Sequence, residues 1–162
     1  MIAATLTALL LLSIPVQSTP AAQDAKPDFS GKWTLDIAKS DFGQMPPPDS
    51  IVAIIEHREP NLKITATQKG QQGEITNERV MTTDGKENSN TLKTMMGDQP
   101  ITSTTKWNGK ALATAFRLTI QDMSLDVVES WEMSADGKAL TVTRDIKSQQ
   151  GDFSQKTVFN KQ

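Results

Sequence analysis

The strongest constraint on this chain is its punctuation. From residue 59 onward, clusters of turn-forming residues recur every 11 to 15 residues: Glu59-Pro60-Asn61, Gly70-Gln71-Gln72-Gly73, Asp84-Gly85-Lys86, Gly97-Asp98-Gln99-Pro100, Asn108-Gly109-Lys110, Gln121-Asp122-Met123, Ala135-Asp136-Gly137 and Gln150-Gly151-Asp152. That spacing is the one expected of an all-β meander. Three of the clusters hold Asn-Gly or Asp-Gly, the pair that most readily supplies positive φ at both centres of a tight hairpin turn. Between the stops, apolar and polar residues alternate as half-buried strands require, with Leu62, Ile64 and Ala66 set against Lys63, Thr65 and Thr67. Leu112, Thr114, Phe116, Leu118 and Ile120 repeat the pattern, as do Leu125, Val127, Trp131 and Met133, and Leu140 and Val142.

Counting Lys32–Asp36 and the nine later segments predicts ten strands. Every link after the first is hairpin-short, so an up-and-down order follows. Curling the sheet into a barrel would also remove its two exposed edges. The expected fold class is therefore all-β: an up-and-down antiparallel β-barrel of about ten strands with no helical lid. The one long connection, Ile37 to Ser50, contains Pro46-Pro47-Pro48 and leaves room for at most one helical turn, near Ala38–Phe42. Gly109-Lys110-Ala111-Leu112 returns as Gly137-Lys138-Ala139-Leu140, which reads as two hairpins solving one turn problem.

The 162 residues, 36% of them hydrophobic, suit a single globular domain. A formal charge of −2, spread evenly, offers no footprint for nucleic acid or anionic lipid. The first 23 residues carry no charged side chain, and Leu6 to Val16 form an apolar run too short to span a bilayer. Residues 1–22 read as an export signal cleaved within Ser18–Ala22, although without the usual basic start; 23–27 read as a short linker and 28–162 as the barrel domain. No cysteine is present, so neither a lipoprotein anchor nor a disulfide is available. The expected location is the periplasm or the medium, with no stable membrane insertion.

Phe29-Ser30-Gly31-Lys32-Trp33-Thr34-Leu35 resembles the opening strand of the calycin superfamily, which begins with a Gly-x-Trp signature and comprises lipocalins, fatty-acid-binding proteins and avidins. Asp28 to Pro48, Trp131 to Lys138 and Leu140 to Arg144 are similar to small secreted lipocalin-like bacterial proteins. The resemblance implies a structural role for Gly31, Trp33 and Arg144, because the first-strand Trp of this superfamily plugs one barrel end while a late Arg stacks across it. Two features depart from the pattern. The lipocalin Thr-Asp-x-x-Tyr motif is absent, and with no tyrosine in the chain the Arg-x-Tyr carboxylate clamp of fatty-acid-binding proteins cannot be carried over.

Polar residues that interrupt apolar strand faces are the candidate ligand-binding positions. His57 follows Ile51, Ala53 and Ile55; Arg79 falls between Ile75 and Met81; Glu129 sits between Val127 and Trp131. With those faces inward, Arg79 would orient an acidic ligand head and Glu129 would balance it. The competing reading is an internal Arg–Glu pair, or a register that puts both at the solvated rim. Arg144 shares an apolar face with Leu140 and Val142 and needs some partner there. Met95, Met96 and Met123 fall near turns, where thioethers would line an open mouth.

No Gly-x-Ser-x-Gly elbow, His-Glu-x-x-His, phosphate-binding glycine loop or cysteine nucleophile occurs, and Glu56, Glu129 and Asp145 are unplaced carboxylates. The lone His57 has no Cys or His at metal-ligand spacing. The expectation is a non-enzymatic protein with no metal or cofactor. Two readings stay open: a carrier of a small lipophilic ligand inside the barrel, and a partner-binding or inhibitor protein acting through loops and rim.

Overall fold

The computed structural model describes residues 25–71, 73–120 and 123–162; the expected leader lies outside them. Ten strands follow in chain order: β1 (Gly31–Leu35), β2 (Ser50–Arg58), β3 (Asn61–Gly70), β4 (Gly73–Thr82), β5 (Asp84–Thr94), β6 (Gly97–Asn108), β7 (Ala111–Ile120), β8 (Met123–Met133), β9 (Ala139–Lys147) and β10 (Phe153–Lys161). All pair antiparallel in one sheet of order β4-β3-β2-β1-β10-β9-β8-β7-β6-β5. The expected all-β, up-and-down, ten-stranded architecture is the observed one. The single helical element among the described residues is a 3-10 turn, Ile37–Lys39, whose Lys39 N–H donates to the Asp36 carboxylate. It lies at the start of the proline-bearing connection, which is anchored to β10 by Asp36 N–H to Val158 O and by paired bonds between Asp41 and Lys156.

The sheet wraps until its two edges, β4 and β5, stand side by side, joined by Thr83 alone. Here the closure departs from a full ladder, since among the described residues no backbone pairs connect the two strands. Two carboxamides take the place of backbone instead. Asn77 donates to Lys93 O at 3.1 Å and accepts from Lys93 N–H at 2.6 Å, while Asn90 donates to Val80 O at 3.0 Å and accepts from Val80 N–H at 2.8 Å. An amide side chain carries the same donor and acceptor as a peptide unit, so each Asn completes one rung at the reach of a side chain.

Residues paired across an antiparallel ladder share a face. The register Gly31↔Ile55, Ile55↔Ile64 and Ile64↔Arg79 therefore defines the inward set on one side, and Thr114↔Glu129 and Glu129↔Arg144 define it on the other. The two ends of the interior differ. At the end carrying the β2–β3, β4–β5, β6–β7 and β8–β9 turns, Trp33, Leu62, Met81, Leu112, Trp131, Leu140 and Phe159 are buried in one cluster. Phe29, outside every strand, is fully buried there and plugs the barrel, and its carbonyl accepts from Trp33 Nε1 at 2.9 Å. At the opposite end, inward residues such as Ile75, Leu92, Leu118, Leu125 and Phe153 are only half-buried, so solvent reaches the inner wall.

Gly31 is required where it stands. Its φ of +135° is one that side chains rarely adopt, and an added Cβ would lie 2.8 Å from Lys161 Cε. Truncating either plug residue should be costly even though only one belongs to the sheet. Trp33→Ala and Phe29→Ala should each lower unfolding free energy by about 3–5 kcal/mol, read from urea midpoints at constant slope.

Candidate functional site

Among the described residues, the interior holds one fully buried charge, which burial alone would not permit. Glu129, on the inward face of β8, is 1% exposed. A carboxylate removed from water must be paired and hydrogen-bonded. Arg144 on β9 is its cross-strand neighbour in the register, and donates to Glu129 Oε1 from Nη2 at 2.6 Å and from Nε at 3.1 Å. Arg79 comes from β4, across the barrel, and donates from Nη2 to Oε2 at 3.0 Å. Trp131 Nε1 approaches the same Oε2 at 3.4 Å.

Burial pushes the Glu129 carboxyl up, but the charges of Arg79 and Arg144 and their hydrogen bonds outweigh it and bring it down to about 2. Two guanidiniums face one carboxylate, leaving one net positive charge. Among the described residues, Glu129 is the only hydrogen-bond partner of the Arg79 guanidinium. The Phe116 ring lies 6.0 Å from Arg79 Cζ on the solvent-reached side. Thr105 and Thr114, whose hydroxyls share a hydrogen bond of 2.9 Å, are fully buried beside the triad. The ion triad thus crosses the barrel between a packed half and an open half.

Arg79 and Glu129 meet as the sequence suggested, as an internal pair, and Arg144 joins them. The expected stacking of Arg144 on Trp33 gives way to a different cation. Lys161 Nζ lies 5.2 Å from the Trp33 ring, because Trp33↔Lys161 is the β1–β10 register while Arg144 stands opposite Glu129. His57 is not part of this site. It packs in the plug with Phe29 and Trp107 at centroid distances of 5.8 and 6.0 Å. The Phe29 N–H donates to its Nδ1 at 3.3 Å, so the ring hydrogen sits on Nε2 and is donated to Glu59 at 3.0 Å. Glu59 also accepts from Thr83 and Trp107. Burial pushes its carboxyl up, and these donors with the Lys26 charge reverse that and hold it below its ordinary value. Met95 and Met96 are exposed at the β5–β6 tip and Met123 opens β8, all at the open end, none in hydrogen-bonded contact with the triad. Glu56 and Asp145 are exposed on the outer face, so they do not assemble with Glu129.

No family model matches the chain, and neither does any curated protein. Solved structures do resemble it. One is an SAHS protein from Ramazzottius varieornatus, with a TM-score of 0.59 and 11% identity over 88% of this chain and 100% of that one. A second is secretory abundant heat soluble protein 4 from the same organism, with a TM-score of 0.54 and 15% identity over 85% of this chain and 96% of the other. A third is zebrafish ileal bile acid-binding protein complexed with cholic acid, with a TM-score of 0.50 and 18% identity over 83% and 98%. At these identities the likeness is one of fold, an antiparallel β-barrel.

The triad makes a pH prediction. The folded-state value of Glu129 lies below its ordinary 4.5, so the stability it contributes is complete above that pH and is lost as pH falls toward about 2. Urea midpoints should drop across this window. Glu129→Gln should flatten that drop and cost about 3–5 kcal/mol near neutral pH, since it leaves two guanidiniums without their counter-charge.

Proposed function

We propose that this chain is a non-enzymatic, exported binding protein that holds a small lipophilic molecule in the open half of its barrel. One observation carries the reading: apolar side chains on the inner wall, among them Ile75, Leu92, Phe116, Leu118, Leu125 and Phe153, are left in contact with water. Inner-wall apolar surface is what a lipophilic ligand would cover, and a few convergent polar groups set its orientation. Arg79 supplies those groups, having guanidinium hydrogens beyond the one given to Glu129. The triad's surplus positive charge favours a ligand with an acidic head. The bile acid-binding neighbour, solved with cholic acid, is consistent with this use of the fold. Export rests on the charge-free leader.

A second reading, a partner-binding or inhibitor protein, is favoured by Met95 and Met96, exposed side by side at a hairpin tip. Native mass spectrometry of the protein purified from its own host separates the two: a retained small molecule supports the carrier, and a clean apo mass with a co-purifying protein supports the alternative. With an anionic lipophilic dye as probe, Arg79→Gln should weaken binding at least tenfold. Unchanged affinity in that variant, with its fold verified by circular dichroism, would remove Arg79 as the anchor.

A further inference from the structure

The register sets a row of polar side chains edge to edge on the inner wall. Thr105, Thr114, Glu129, Arg144 and Gln155 pair in succession across β6 to β10, and residues paired across a rung share a face. The neighbouring rows are largely apolar, with Phe116, Val127 and Ile146 towards the open end and Leu112, Trp131 and Val142 towards the plug. A polar belt therefore crosses half of the barrel between two hydrocarbon bands.

Most of this belt is closed to water. Thr105 and Thr114 are fully buried and bonded to each other at 2.9 Å, and Glu129 is enclosed by its two arginines. The last two members differ. Arg144 lies on the inward face, yet 41% of its side chain is exposed, against 14% for Arg79, so water in the open half reaches it. Gln155, its rung partner, is half-buried. Arg144 gives its Nε hydrogen and one hydrogen of Nη2 to Glu129 Oε1, and among the described residues its Nη1 has no partner. Gln155 Nε2 donates to Phe42 O at 3.2 Å. A carbonyl can only accept, so this bond fixes the orientation of the amide and leaves Oε1 as an unused acceptor.

An unused donor and an unused acceptor thus stand on adjacent rungs, about 5 Å apart at Cβ. A carboxylate has no hydrogen to offer Gln155, and a trans secondary amide directs its N–H and C=O to opposite sides. A hydroxyl satisfies both groups from one oxygen, accepting from Arg144 and donating to Gln155.

We infer that Arg144 and Gln155 form a hydroxyl subsite, and that the ligand of the open half is a lipophilic acid carrying a hydroxyl within a few bonds of its carboxylate. The inference rests on the ligand-binding reading above, in which Arg79 takes the acidic head. Both guanidiniums hold the same carboxylate, Arg79 through Oε2 and Arg144 through Oε1, so a head on the first brings its nearest carbons to the second. An acid without the hydroxyl would cover Gln155 Oε1 with hydrocarbon and leave it unsatisfied, which is how a polar site rejects an analogue lacking its partner group.

Isothermal titration calorimetry with tetradecanoate, 3-hydroxytetradecanoate and 3-methoxytetradecanoate, each below its micellar concentration, tests the subsite. The parent protein should bind the hydroxy acid about tenfold or more tightly than tetradecanoate. Methylating the hydroxyl removes the hydrogen offered to Gln155 and should erase that gain. Gln155→Met, similar in length and without the amide acceptor, should cut the preference below about threefold. The comparison of three ligands on the parent decides the matter even if Gln155→Met fails to fold. A parent preference below about threefold, an undiminished preference in Gln155→Met, or a methoxy acid bound as tightly as the hydroxy acid overturns the hydroxyl subsite and leaves the ligand-binding reading standing. Binding of none of the three acids sinks that reading, and the subsite with it.

Discussion

A carboxylate sealed inside a β-barrel sets the terms for what surrounds it. Glu129 can be ionised there only because Arg144 meets it across one rung of the sheet and Arg79 reaches it from the far wall. The second of these contacts is the more consequential, since it ties β4 to β8 through the interior and fixes the spacing of opposite walls. It also divides the interior by chemistry. On one side hydrocarbon and indole fill the space around Trp33; on the other, apolar wall is left facing water. Neither arginine could be replaced by an apolar residue without leaving the carboxylate under-compensated in a low-dielectric site.

The architecture was largely legible in the sequence because it depends on local signals. Turn clusters and two-residue alternation identify strands and their order, and Asn108-Gly109 and Asp136-Gly137 mark their hairpins within a residue or two. The triad was legible in part. Arg79, Glu129 and Arg144 each interrupt an apolar face, and a charged side chain on a buried face must find a partner. What the residues could not tell is which partner, because that depends on pairing between strands far apart in the chain. Lys161 shows the point: nothing near it announces that the last strand will lay its ammonium over Trp33. His57 misled for the opposite reason. Its face is inward, as read, but at the plugged end, where Phe29 from outside the sheet fills the space.

Asn77 and Asn90 were legible only as polar residues on inward strand faces. Their role emerges once β4 and β5 are seen as the two ends of one curled sheet, with the carboxamides standing in for missing rungs.

The order of the strands also governs when this molecule can exist. β1 lies between β2 and β10, so the first strand of the sheet is completed by the last. The Trp33 plug depends on Lys161, and the connection after β1 depends on Val158 and Lys156, all within the final strand. A nascent chain released short of β10 would have an open edge and an exposed indole. Pairings of such long sequence separation form slowly, so closure must wait for the carboxyl terminus. The sheet is therefore finished by the same strand that completes the plug, and its two ends of sequence meet at one seam.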